Sequence, residues 1–204
     1  DQAEAIYAKL GPAKEVSGGS AGNTVAGIAQ LGGKAAYIGR VRDDQLGQIF
    51  RHDITASGVA FEAPATTSGK STARCFVMVT PDAQRTMMTY LGACTDLSKE
   101  DVSPDLSANA KVTYMEGYLW DPPAAKAAIA DAADIAHNNG RKVALSLSDP
   151  FCVERHRDTF LELIADRVDI LFANEDEITA LFQSDNFDEA ASRISAFCEV
   201  AALT

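Results

Sequence analysis

The sequence is poor in cysteine and in basic charge, and it has no long apolar run. Its four cysteines, Cys75, Cys94, Cys152 and Cys198, are scattered, and no two form a CxxC pair. The three histidines, His52, His137 and His156, complete no zinc-binding spacing with them. Both facts argue against a disulfide framework or a structural zinc site. The expectation is reduced, partly buried thiols in a cytoplasmic protein. No stretch approaches the ~18 consecutive apolar residues of a membrane helix. The opening residues Asp1-Gln2-Ala3-Glu4 lack the basic n-region of a signal peptide. Eighteen Lys and Arg against 29 Asp and Glu leave a net charge of -11. That field repels phosphate backbones and no basic stripe offsets it, so neither nucleic acid nor membrane is an expected partner. A small anionic ligand remains compatible, because a helix N-terminus or a single Arg holds it locally. Neither nucleotide fingerprint, GxGxxG or GxxxxGK[ST], is present, and no Ser-His-Asp or Cys-His arrangement suggests itself.

What is present is a regular α/β alternation. With 204 residues, 47% of them hydrophobic, the chain suits one domain with a sizeable core. Residues 1–10 have a helical pattern that Gly11-Pro12 breaks. Ser17-Gly18-Gly19-Ser20-Ala21-Gly22-Asn23 reads as a glycine-rich turn, and a helix follows it to Leu31-Gly32-Gly33. Ala35–Ile38 reads as a short strand, and Asp43 or Asp44 can cap a helix over 44–57. Segments 72–79 and 84–91 read as a hairpin around Thr80-Pro81-Asp82-Ala83. From Lys111 onward strands are expected at 112–115, 143–147, 168–173 and 199–203. Helices are expected at 123–139, 152–167, 175–183 and 187–197. This rhythm predicts a mostly parallel sheet flanked by helices. The chain starts within a helical pattern and stops on a strand, so it is expected to be the middle of something longer.

Candidate functional residues gather where strands stop. Val168–Ala173 is an apolar run that ends at Asn174-Glu175-Asp176-Glu177, and polar groups at the carboxyl ends of parallel strands are where open α/β sheets bind ligands. Asn174 and Glu177 have the spacing to serve a Mg²⁺-bound phosphate. They also have the spacing of a capping box, which needs no ligand. The glycine turn allows a ligand to approach backbone N–H groups, or is simply a capped turn. Asp149-Pro150 is explained by an N-cap followed by proline at the first helical position. Glu116, at the end of strand 112–115, is placed to accept sugar hydroxyls or to be a surface acid. Arg85 reads first as a solvated or paired cation, and Met87 and Leu91 as core or sheet packing.

Three blocks in order resemble the ribokinase-like (PfkB) carbohydrate kinase family, in its adenosine kinase branch. The first is Gly18–Asn23 with Leu31-Gly32-Gly33, Ile38-Gly39 and Asp43-Asp44-Gln45-Leu46-Gly47, similar to GGxxxN…G…GxDxxG. The second, Leu145-Ser146-Leu147-Ser148-Asp149-Pro150-Phe151, resembles LNLSAPF. The third, Val168–Glu177, is similar to VDILFGNExE. The resemblance runs from about Ser17 to the last residue. It implies a ribokinase-like doubly wound sheet with a small β lid, and segments near 1–16 and 60–91 associated with that lid. It implies ATP and Mg²⁺ as cofactors and transfer of phosphate to the 5′-hydroxyl of adenosine or a related nucleoside. Gly18, Gly19 and Asn23 would line the ribose pocket. Met87 and Leu91 would pack on the purine, and Arg85 would face the transferred phosphate. Asn174 and Glu177 would order the metal–phosphate network, with Glu177 meeting the metal through water. Glu116 matches a sugar-contacting acid of ribokinases, whereas adenosine kinases carry a small apolar residue there. That departure keeps a free-sugar kinase in view. The family's catalytic base lies in a GAGD motif that these 204 residues do not contain, nor do they include the family's N-terminal strand. A non-catalytic nucleoside- or sugar-binding module is therefore the third reading. The expected partner is a small nucleoside or sugar, and the expected state a monomer or homodimer.

Overall fold

The computed structural model describes residues 7–9 and 11–204. Most of the helix expected over 1–10 lies outside the described residues. Four parallel strands form the central sheet: β3 (Val112–Glu116), β4 (Lys142–Ser146), β5 (Ile170–Ala173) and β6 (Val200–Leu203), in the spatial order β3-β4-β5-β6. Before them, β1 (Arg74–Val79) and β2 (Arg85–Tyr90) pair antiparallel as a separate hairpin. The helices are α1 (Ser20–Gln30), α2 (Gln45–Ala56), α3 (Pro104–Asn109), α4 (Pro123–Asn138), α5 (Pro150–Arg167), α6 (Glu175–Phe182) and α7 (Phe187–Ile194).

The register sorts side chains by face. Met115, Leu145, Leu171 and Ala201 lie side by side across the four strands, and Val143 and Ala173 share their face. All six pack into one cluster with Phe160 and Ile164 of α5, Ile178 and Leu181 of α6, and Ile194 of α7. Tyr114, Glu116 and Phe172 point to the opposite face by the two-residue period of a strand. Helix α4 is alanine-rich, and its small side chains let two layers approach it at once. Ala125, Ala128 and Ala132 meet Leu97 and Val102. Ile129, Ala133 and Ala136 join the sheet cluster. Fully burying a side chain the size of Phe160 contributes about 2–3 kcal/mol. A third cluster sets Ile54 of α2 against Val41, Val59 and Phe61. There the rings of Tyr37, Phe50 and Phe61 meet edge to face.

Several local expectations shift. Helix α1 begins at Ser20, inside the expected turn, so Asn23 is helical. Gly19 precedes the helix at φ 101, a left-handed value that glycine adopts without strain. The strand expected at Ala35–Ile38 reduces to one parallel bridge, Ala36 with Ala60, and a second bridge joins Arg42 to Thr66. Asp44, not Asp43, caps α2. Helix α5 starts two residues early, because Asp149 accepts from Cys152 N and Pro150 takes the first helical position. Helix α7 ends at Ile194 rather than 197. The 3-10 turns Gly92–Asp96, Lys99–Asp101 and Gly117–Leu119, and α3, were not legible. They are too short to show a helical period.

Candidate active site

Connections after β3, β4 and β5 meet at the carboxyl edge of the sheet. Glu116 is the last residue of β3. Its carboxylate accepts from the Ser20 hydroxyl at 2.5 Å and from the Tyr114 hydroxyl at 3.2 Å. Burial, with the nearby Glu116 charge, pushes the Tyr114 phenol up to about 12. Ser20 opens α1, so the acid faces the positive end of that helix, an arrangement the helix dipole favours. The rest of the glycine block comes with it. Asn23 N donates to Gly19 O at 2.8 Å, and a Cβ on Gly18 would lie 3.8 Å from Asn23 Oδ1. Gly18, Gly19, Asn23 and Glu116, separated by more than 90 residues of chain, thus form one group at the sheet edge.

The second group follows β5. Asn174 and Glu177 form a complete capping box. Glu177 N donates to Asn174 Oδ1 at 2.8 Å, and Asn174 N donates to Glu177 Oε2 at 3.0 Å. A third bond runs from Asn174 Nδ2 to Glu177 Oε1 at 3.1 Å. Glu177 is only 6% exposed. Burial raises its pKa, the Asn174 N–H opposes the rise, and the carboxylates of Asp149 and Asp176 add to it. A buried acid beside a second acid is a place where positive charge is stabilising. Among the described residues no cluster of three His, Cys, Asp or Glu can cage a metal. Both Glu177 oxygens already accept a bond, so the residues present fit a hydrated Mg²⁺ met through water better than a directly ligated one.

Tyr118, which sequence reasoning did not single out, and Asp149 join these groups. The Tyr118 hydroxyl donates to Ser148 O at 2.8 Å. Asp149, identified only as a cap, also lies close enough to Glu177 to disfavour its charge. The only sequence sign of Tyr118 was its place two residues after Glu116.

The hairpin carries the remaining candidates. Val79 faces Arg85 and Val77 faces Met87 in register, so Arg85 and Met87 share one face of it. Met87 is 62% exposed, which overturns the core-packing reading. Leu91 follows the last residue of β2 and leads into a 3-10 turn. Among the described residues, no hydrogen bond or ion pair joins Arg85, Met87 or Leu91 to the Glu116 or Asn174 groups.

A model of the pfkB family of carbohydrate kinases matches residues 9–201. The chain belongs to that family. Two solved structures resemble this pfkB chain over its whole length, each covering 62% of its own: an adenosine kinase from Sinorhizobium meliloti (55% identical, TM-score 0.95) and a probable sugar kinase from Rhizobium etli CFN 42 (56% identical, TM-score 0.95). Among curated relatives, a probable fructokinase-4 of Arabidopsis thaliana is 26% identical over 180 residues, covering 84% of this chain and 54% of that protein. The pfkB chain therefore spans about half the length of the curated relatives it matches. Among the described residues, no helix is long and apolar enough to cross a membrane.

Proposed function

We propose that this chain is part of an ATP-dependent phosphotransferase that phosphorylates the 5′-hydroxyl of adenosine or a related nucleoside. One observation carries the reading. An acceptor-type group (Glu116 at the end of β3, with Gly18, Gly19 and Asn23 beside it) and a phosphate-type group (Asp149 after β4, Asn174 and Glu177 after β5) stand at the carboxyl ends of three consecutive strands of one sheet, where ligands of open α/β sheets bind. The likeness to an adenosine kinase at 55% identity supports the nucleoside, and the comparable likeness to a probable sugar kinase keeps a free sugar as the second reading.

In this reading Glu116 accepts hydrogen bonds from the sugar, and the backbone around Gly18 and Gly19 fits closely against it. Orientation of this kind removes much of the entropic barrier to phosphoryl transfer. Mg²⁺·ATP supplies the phosphoryl group and the cation that spreads its charge. Asn174 and Glu177 order water on that side. Arg85, carried by the hairpin, offsets charge developing on the transferred group, and Met87 and Leu91 offer an apolar surface to the base.

The test is a phosphorylation assay on the polypeptide carrying this sequence at the full length of its relatives, offered adenosine, inosine, ribose and fructose. Turnover of adenosine in clear preference supports the proposal. A folded full-length protein that phosphorylates none of them sinks it. Glu116 specifically favours a second reading, a free-sugar kinase, because its carboxylate is held ready by two hydroxyl donors; preference for ribose or fructose would decide for that.

A further inference from the structure

Among the described residues only Ala83, Ser148 and Gln183 are non-glycine residues at positive φ. Ala83 lies in the hairpin turn, and Gln183 ends α6 as a left-handed cap. Both are ordinary places for that conformation. Ser148, at φ 78, is neither. It lies between β4 and α5, at the edge where the two groups meet, and a serine held there is under backbone strain that its surroundings must sustain.

The surroundings are visible. Locally, Asp149 N donates to Leu147 O at 3.1 Å and the Ser148 hydroxyl donates to Ser146 O at 3.3 Å, closing a tight turn about Ser148. From outside the turn, Tyr118 OH donates to Ser148 O at 2.8 Å. Four residues further on, Cys152 Sγ donates back to Gly117 O at 3.0 Å. The two loops lie so close between these bonds that a Cβ on Gly117 would sit 2.7 Å from Leu147 O. Directly after the strained residue, Asp149 turns its carboxylate onto Cys152 N at 2.7 Å. Tyr118 is itself 40% exposed, so burial of its ring does not explain its placement.

We propose that Tyr118 is a positioning residue. Its hydroxyl holds Ser148 in the left-handed conformation. It thereby sets Asp149, and the edge that Asp149 shares with Glu177, at a fixed position relative to Glu116 two residues before it. The clamp stands on the geometry alone; its consequence for turnover rests on the kinase reading above.

The test uses Tyr118→Phe, Ser148→Gly and the double variant. The first readout is amide hydrogen exchange over residues 149–153. Tyr118→Phe is expected to speed exchange there by roughly tenfold, because the cap on Cys152 N opens more often. The double variant is expected to return to the slow rate, since glycine takes positive φ unaided. The second readout is kinetic, on the full-length polypeptide with adenosine: Tyr118→Phe is expected to lower kcat roughly tenfold with little change in the KM for adenosine, and the double variant to recover it. Unchanged exchange in Tyr118→Phe, or no recovery in the double variant, overturns the clamp. Altered exchange with unaltered kcat overturns the positioning role. A wild type that phosphorylates nothing overturns the kinase reading, and the exchange result then decides the clamp by itself.

Discussion

Asp44 and Thr72, 28 residues apart, are joined through one carboxylate. Thr72 N donates to Asp44 Oδ2 at 2.9 Å, and the Thr72 hydroxyl donates to Asp44 Oδ1 at 2.7 Å. The same Oδ1 accepts from Gly47 N at 2.9 Å, which caps α2. Burial by itself would raise the Asp44 pKa, but these bonds from Thr72 and Gly47 outweigh it and hold the pKa below the ordinary value. A depressed carboxylate contributes stability that is present above its unfolded value of about 3.9 and is lost as pH falls through the folded value. Asp44→Ala is expected to cost about 1–3 kcal/mol at pH 7 by urea melting. The gap to wild type should narrow below pH 4, and a gap that stays constant down to pH 2 would contradict this account.

Gly47 fits beside that carboxylate because it has no side chain. A Cβ there would lie 1.9 Å from Arg42 O and 2.9 Å from Thr72 Oγ1. A backbone carbonyl cannot give way as a flexible side chain can. Gly47→Ala is expected to destabilise by about 3 kcal/mol or more, read as a fall in melting temperature. A melt within 2 °C of wild type, roughly the resolution of 0.5 kcal/mol in a domain this size, would show that the helix shifts freely.

One variant separates the capping of the helix by Glu177 from the phosphate-side role proposed for it. Glu177→Gln keeps an acceptor for Asn174 N and loses the charge. The expected stability loss is about 1 kcal/mol or less by urea melting. In the full-length polypeptide the expected fall in kcat is roughly 10–100-fold, with nucleoside binding by calorimetry unchanged. Equal losses in binding and turnover would move Glu177 to the acceptor side.

Glu116 is the residue proposed to distinguish the two acceptor classes. Glu116→Ala is expected to weaken ribose binding by about 1.5–3 kcal/mol, the worth of a hydrogen bond to a charged group. Adenosine binding, with its apolar contacts at the base, is expected to fall less. Calorimetry with both ligands on the full-length polypeptide reads the difference. An unchanged ribose affinity would reduce Glu116 to a partner of Ser20 and Tyr114.

Much of this site was legible along the chain because its parts are local. Asn174 and Glu177 are three residues apart on one helical turn, and their capping box follows from spacing alone. The glycine block before α1 and the stop of each parallel strand were visible for the same reason, since each is a change of composition within a few residues. Ser148 was not legible as a strained residue. Serine normally avoids positive φ, and one of the bonds around it comes from the Tyr118 hydroxyl, 30 positions earlier in the chain.

Short-range chemistry thus determined the order of elements, their caps and the side chains that stand where strands end. Periodicity and capping depend on neighbours within four residues, which any reading of the chain contains. The tertiary structure alone decided which strand ends are adjacent. It set Ser20 against Glu116 across 96 positions, brought Asp149 to Glu177, and left Met87 exposed on the hairpin. Those choices depend on sheet order and on the close packing of helices over Leu145 and Leu171, and the energies that fix them are summed over many contacts that no segment of the chain holds by itself.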